Sequence, residues 1–196
     1  MKNYFTASAQ NIDLAIEHLE QNKLIIHSTD TIPGLAADAT SNIALKSLIK
    51  LKGRSGPYSI IVSSIQDIEE YAILDKNLIK KINSVLPGPF TILLKNNQEN
   101  KLSHYALGNS NLIGFRIPIH PFTNLLSSRF KKPIITTSLN LTGEQSIINL
   151  EKVSEHFKEL VIFDDKKRKA SNGSTILNFS SEIVKIIRKG DGEYIL

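Results

Sequence analysis

In residues 24–64 a buried strand, a hydroxyl-rich turn, a helix, a basic tripeptide and a second strand follow one another directly, and the rest of the chain has to be fitted around them. Leu24 to Ile26 form a short apolar run, and Ser28-Thr29-Asp30-Thr31 follow where that strand must end, with Pro33-Gly34 as breakers. The hydroxyls therefore belong at a strand tip, in the open. Ser41 is placed to cap a helix whose Ala44, Leu45, Leu48, Ile49 and Leu51 make an apolar face and which runs out at Lys52-Gly53-Arg54. Past the helix, cations spaced i, i+2 point to one side of an extended backbone, facing solvent. Beside a hydroxyl cluster they read as an anion site. The other reading, cations meeting a helix dipole and a turn that satisfies only its own backbone, stays open on these residues alone.

A chain of 196 residues is long enough for one well-cored domain. With 41% hydrophobic and 22% charged residues it has the composition of a soluble globular protein. The absence of cysteine excludes a disulfide framework and a thiolate zinc site. No apolar run is long enough to span a bilayer, so no membrane association and a cytoplasmic location are expected. The formal charge of +5 favours anionic partners such as nucleotide or RNA. Lys166-Lys167-Arg168-Lys169 is the only dense basic run, and it reads as a solvated loop.

Taken in order, Ile12, Ala15, Ile16 and Leu19 predict an amphipathic helix before the strand at 24–27. Asp75 is placed to cap a second helix carrying Leu78, Ile79, Ile82, Val85 and Leu86, stopped by Pro87-Gly88-Pro89. Strands are predicted at 59–62, 90–94, 112–117, 133–137, 161–163, 174–179 and 183–188, and helices at 121–130 and 150–160. The polar stretch 96–111 reads as a loop long enough to act as a lid. Arg116 interrupts an apolar strand, so it is either paired with a carboxylate or turned into a cleft to meet a ligand. Thr137 to Gly143 repeats the theme of a strand emptying into hydroxyls, at what should be the same sheet edge. A mixed α/β domain results, with antiparallel pairing among the late strands.

Several chemistries are excluded by the same residues. There is no P-loop and no G-x-G-x-x-G opening a helix. The five histidines have no i, i+3 or i, i+4 partner, and no G-x-S-x-G is present. His27 lies close to the hydroxyl cluster, where a strand-end histidine reads as structural. What is left is a set of cations and hydroxyls without a nucleophile. That set suits a reaction whose substrates carry nucleophile and leaving group while the protein orients them and neutralises charge.

The order of motifs resembles the YrdC/TsaC family over nearly the whole chain. The motifs are Thr29-Asp30-Thr31 with Gly34-Leu35, Lys52-Gly53-Arg54, Leu86-Pro87-Gly88-Pro89-Phe90-Thr91, Gly114-Phe115-Arg116-Ile117-Pro118, Thr137-Ser138-Leu139-Asn140-Leu141-Thr142-Gly143, Gly173-Ser174-Thr175-Ile176 and Ile187-Arg188-Lys189-Gly190. The resemblance implies one YrdC-like domain over 1–196, with a twisted mixed parallel and antiparallel sheet flanked by helices and a basic concave cleft. It implies synthesis of L-threonylcarbamoyladenylate and pyrophosphate from L-threonine, bicarbonate and ATP, with Mg2+ carried on the ATP. The product would serve a downstream tRNA threonylcarbamoyl-transferase complex that modifies the adenosine next to the anticodon, and weak binding of tRNA itself is compatible. By the same resemblance Lys52 and Arg54 are catalytic; Thr31, Ser63, Arg116, Ser138 and Ser174 hold threonine; and Lys52, Arg54, Tyr58, Asn140 and Arg188 hold ATP. Pro33, Tyr58, Ser63 and Leu139 depart from the family pattern. A non-catalytic RNA-binding module is the alternative, since backbone contacts need only Lys and Arg. A carbamoyl-transfer maturation factor would need cysteine zinc fingers that this chain does not have.

Overall fold

The computed structural model describes residues 3–97, 99–141, 143–167 and 169–195. Thr142 and Arg168, named above in a motif and in the basic run, lie outside them. Among the described residues ten strands form one sheet: β1 (Tyr4–Thr6), β2 (Ile25–His27), β3 (Gly34–Asp38), β4 (Ser59–Ile61), β5 (Phe90–Lys95), β6 (Leu112–Arg116), β7 (Ile134–Ser138), β8 (Val161–Asp164), β9 (Thr175–Asn178) and β10 (Lys185–Arg188). Their order is β1-β8-β2-β3-β7-β4-β6-β5-β9-β10. The pairs β1/β8, β2/β8, β4/β6 and β5/β9 are parallel. The pairs β2/β3, β3/β7, β4/β7, β5/β6 and β9/β10 are antiparallel, so the sheet is mixed, as expected.

Side chains alternate across the pleat, and the two faces have different fates. Ile26, Leu35, Ile60, Ile92, Phe115, Ile135 and Leu177 belong to a large core under α2 (Asn42–Lys52), α3 (Ile65–Glu69), α4 (Lys76–Asn83) and α5 (His104–Leu107). On the other face Ile25, Ala36, Ile61, Ile134 and Phe163 meet α1 (Ile12–Glu20) and α6 (Pro121–Phe130). Moving two residues along three of these strands on that second face leads to Gly34, Ser59 and Thr136, which line a cavity instead of a core. Two short helices thus cover one end of this face, and a cavity lies at its polar end.

The expected caps hold: Ser41 Oγ accepts from Ala44 N, and Asp75 Oδ1 accepts from Leu78 N. Other expectations are corrected. Residues 34–38 after the breakers form β3, a strand of five buried residues that takes its place between β2 and β7 by non-local pairing. β1 is too short to announce itself and exists by pairing with β8. The helix expected at 150–160 is two 3-10 turns, Leu150–Lys152 and Glu155–Phe157. Val153 and Ser154 between them are extended, which lets Leu150 and Phe157 both reach the core. The stretch 96–111 contains α5, capped by Ser103. Carbonyls of Tyr105 and Ala106 accept from Gly56 N and Tyr58 N, fastening the stretch to the segment that enters β4.

Candidate active site

A cavity of about 230 Å³ lies on the open half of the sheet. Thr31, Arg54, Tyr58, Arg116, Ser138, Ser174 and Arg188 all line it, so seven side chains drawn from six separate segments meet in one place. Strand pleating explains the meeting. Gly114 and Arg116 on β6, Thr91 on β5, Thr136 and Ser138 on β7 and Ser59 on β4 all project from the same face, because they are spaced by two along paired strands.

Arg116 answers the question its sequence position raised in both ways at once. Its Nη2 donates to Asp30 Oδ1 at 2.7 Å and to Thr31 Oγ1 at 3.0 Å, while Asp30 Oδ2 accepts from Ile119 N at 3.0 Å. Both side chains of the pair are more than nine-tenths buried. Arg116 Nε is buried with no acceptor in the protein, although the residue lines the cavity. Burial lowers the pKa of the guanidinium, Asp30 opposes the shift, and the nearby Arg188 adds to it. A desolvated, half-satisfied guanidinium facing a cavity is a receptor for an anion such as a carboxylate.

Arg188 donates through Nε and Nη2 to Ser174 O at 3.2 and 2.7 Å, and Ser174 Oγ shares a 2.7 Å hydrogen bond with Thr91 Oγ1. The strands are locked there by close backbone packing. A Cβ on Gly190 would fall 2.2 Å from Gly173 O, so only glycine lets the two segments touch.

Lys52 corrects the picture of two solvent-facing cations on an extended backbone. It is still helical, the last residue of α2, and Gly53 turns the chain in the left-handed conformation with φ 72°. Its Nζ donates to Ser138 O, Asn140 O and Asn140 Oδ1 at 2.9, 2.6 and 2.7 Å. Burial, with a smaller contribution from Arg54, lowers its pKa to about 8. Lys52 and Asn140 therefore sit behind Ser138 and do not themselves line the cavity, whereas Arg54 is exposed at the rim, its guanidinium 5.2 Å from the Tyr58 ring centre. Burial raises the Tyr58 pKa, and its hydroxyl donates to Arg54 O.

Ser63 is not part of this site. It lines a separate cavity at the far end of β4, where its backbone N and its Oγ both donate to Asp67 Oδ2 in the capping arrangement at the start of α3. Its motif position placed it near threonine, but it lies past the end of β4, where α3 begins. Ser63→Ala should therefore leave the threonine requirement of any turnover unchanged and cost about 1 kcal/mol of stability from the lost hydrogen bond, read from a chemical denaturation curve. Conversely, Asp30, Ser59, Thr91 and Thr136 belong to the site and had no assigned role. Asp30 and Thr91 stood inside quoted motifs, and pleat parity with Arg116 and Ser138 would have pointed to the others.

Among the described residues no group of three or more His, Cys, Asp or Glu side chains could hold a metal ion. No helix among them is long and apolar enough to cross a membrane.

Comparison with known proteins gives the cleft its context. A threonylcarbamoyl-AMP synthase of Wigglesworthia glossinidia brevipalpis is 32% identical over 200 residues, covering 95% of this chain and 99% of the relative. The human threonylcarbamoyl-AMP synthase is 29% identical over 177 residues, 85% of this chain, which spans only 62% of that protein. The crystal structure of P. abyssi Sua5 complexed with L-threonine superposes with a TM-score of 0.85 at 23% identity over 95% of this chain and 57% of that one, a likeness of fold. The profile of the Sua5/YciO/YrdC family, described as "Telomere recombination", matches residues 17–190. With its sequence matched over that span and its sheet superposing on a solved Sua5, the chain belongs to the Sua5/YciO/YrdC family.

Proposed function

We propose that this protein joins L-threonine, bicarbonate and ATP into L-threonylcarbamoyladenylate with release of pyrophosphate, for threonylcarbamoyl modification of the adenosine next to the anticodon of tRNA. Threonine and bicarbonate give the carbamate with loss of water. A carbamate oxygen then attacks the α-phosphorus of ATP, and the bond to the β,γ-pyrophosphate breaks. The observation that carries the reading is Arg116, a buried guanidinium whose Nε has no acceptor in the protein and which lines a cavity together with hydroxyls and two further arginines. It fits a substrate carboxylate, and the reaction needs orientation and charge neutralisation more than a protein nucleophile. The names carried by relatives that match this chain along most of its length support the same activity.

In this reading Thr31, Arg116, Ser138 and Ser174 bind threonine. Arg54, Tyr58 and Arg188 meet the nucleotide, Arg54 as the catalytic cation. Lys52 and Asn140 act through the turn that carries Ser138. Mg2+ travels with the triphosphate, since the cavity offers donors and cations that suit phosphate oxygens. Residues 1–196 are read as one YrdC-like domain working in the cytoplasm, its product consumed by a tRNA threonylcarbamoyl-transferase complex.

The test is pyrophosphate release by the purified protein. It should require ATP, threonine and bicarbonate together and vanish in Arg54→Ala. Because Arg54 is exposed, that variant should unfold within about 1 kcal/mol of the parent. A protein that binds tRNA tightly and never consumes ATP would be the RNA-binding module instead.

A further inference from the structure

Arg54 and Arg116 both line the cavity, and they are held in opposite ways. Arg116 is buried against the Asp30 carboxylate, which offsets its charge. Arg54 is exposed at the rim, and among the described residues no carboxylate forms an ion pair with it. An exposed arginine left to itself samples many rotamers, and a cation that has to be ordered at each encounter with substrate contributes less than one already in place.

One side chain supplies the order. The Tyr58 ring centre lies 5.2 Å from the carbon of the Arg54 guanidinium, within the range of a cation–π contact. The hydroxyl of the same residue donates to Arg54 O at 2.6 Å. Tyr58 therefore holds the head group and the backbone of Arg54 together. The ring is a firm support, because Tyr58 is itself buried. Its backbone is fastened on the other side, where Tyr58 N donates to Ala106 O at 3.0 Å and Gly56 N donates to Tyr105 O at 3.4 Å, both acceptors belonging to α5. The two segments pack so closely that a Cβ on Gly56 would fall 2.3 Å from Ala106 O. Thus α5 is the floor of the loop that carries Arg54.

Holding a guanidinium by a ring has a consequence for its charge. A carboxylate would occupy its N–H donors and offset its charge, and phosphate oxygens would then have to compete with it. A ring face touches the guanidinium plane from one side and leaves the donors at its edge. Among the described residues the only acceptor those donors meet is Ser55 O, 3.1 Å from Nη1. We infer that Tyr58 is the positioning residue of Arg54, its ring fixing the guanidinium at the rim of the cavity while leaving the charge and the remaining donors to a phosphate group of the nucleotide. The inference rests on reading the cleft as a nucleotide site, and it places the share of Tyr58 in ATP binding in its hold on Arg54.

The experiment titrates ATP and, separately, L-threonine into purified variants by calorimetry. Tyr58→Leu and Tyr58→Met both fill the buried position without a ring face, and two fillers of different shape guard against one that fails to fold, which thermal denaturation shows. Each should weaken ATP about fivefold, the size of one cation–π contact, and leave threonine within about twofold of the parent. Tyr58→Phe keeps the ring and should stay within about twofold for both ligands. In an Arg54→Ala background the change from Tyr58 to Leu should cost ATP nothing further. A Tyr58→Leu loss of the same size with and without Arg54 would make Tyr58 a ligand in its own right, and equal weakening of ATP and threonine would make it a packing residue. Either result, or ATP affinity unchanged in both fillers, overturns the positioning role alone. A parent that does not bind ATP overturns the nucleotide reading, and the positioning role with it.

Discussion

Arg116→Ala is expected to lose about 3–5 kcal/mol of stability and essentially all affinity for threonine, because it leaves the Asp30 carboxylate buried without its partner. The pair has side-chain exposures of 7% and 8%, so water cannot take over the role of the guanidinium. Asp30→Ala should cost a comparable amount by stranding the guanidinium, and the double variant should cost far less than the two added together. Denaturation of the four proteins measures the coupling, and threonine titration measures binding. Simple additivity of the two single losses would show that the pair is not the unit described here. Nucleotide affinity should survive Arg116→Ala, since Arg54 and Arg188 line the cavity from other segments of the chain. A loss confined to ATP would contradict the division of the site.

The second large effect is on acid stability. His27 is wholly buried with its pKa lowered to about 3 from 6.5. Between those values the unfolded chain binds a proton that the folded protein does not. Stability therefore rises with pH across this window, is fully present above about 6.5, and falls by about 1.4 kcal/mol for each unit below it. At about pH 5 the loss from this one group is about 2 kcal/mol. Asp67, whose carboxyl burial pushes up but hydrogen bonds from Ser63 and Ser64 together hold below its usual range, adds a loss of the same sign at lower pH. His27→Gln should flatten the stability profile between pH 7 and pH 5. A variant that keeps the parent's slope there would locate the acid sensitivity elsewhere.

Local chemistry was legible in the residues. Ser41 and Asp75 cap the helices they were expected to cap, and the seven cavity-lining side chains foreseen by motif do converge. What failed were judgements about direction and surroundings. Lys52 belongs to the same tripeptide as Arg54, yet the two go opposite ways. The helix persists through Lys52, and Gly53 then reverses the chain, so the i, i+2 rule for extended backbone never applies. Ser63 failed because a motif position carries no information about which end of a strand opens onto the cleft. The helix expected at 150–160 failed because Val153 and Ser154 are extended, a choice made by the need to bury Leu150 and Phe157.

The sequence by itself determined the family, the polar strand tips and the identity of the charges, because turn residues, caps and apolar periodicity act over a few residues and leave their mark locally. Only the tertiary structure decided that Asp30 pairs with Arg116 and that Lys52 turns inward. Those outcomes depend on register between strands far apart in the chain, and on where two short helices stop covering one face of the sheet. No local preference encodes either.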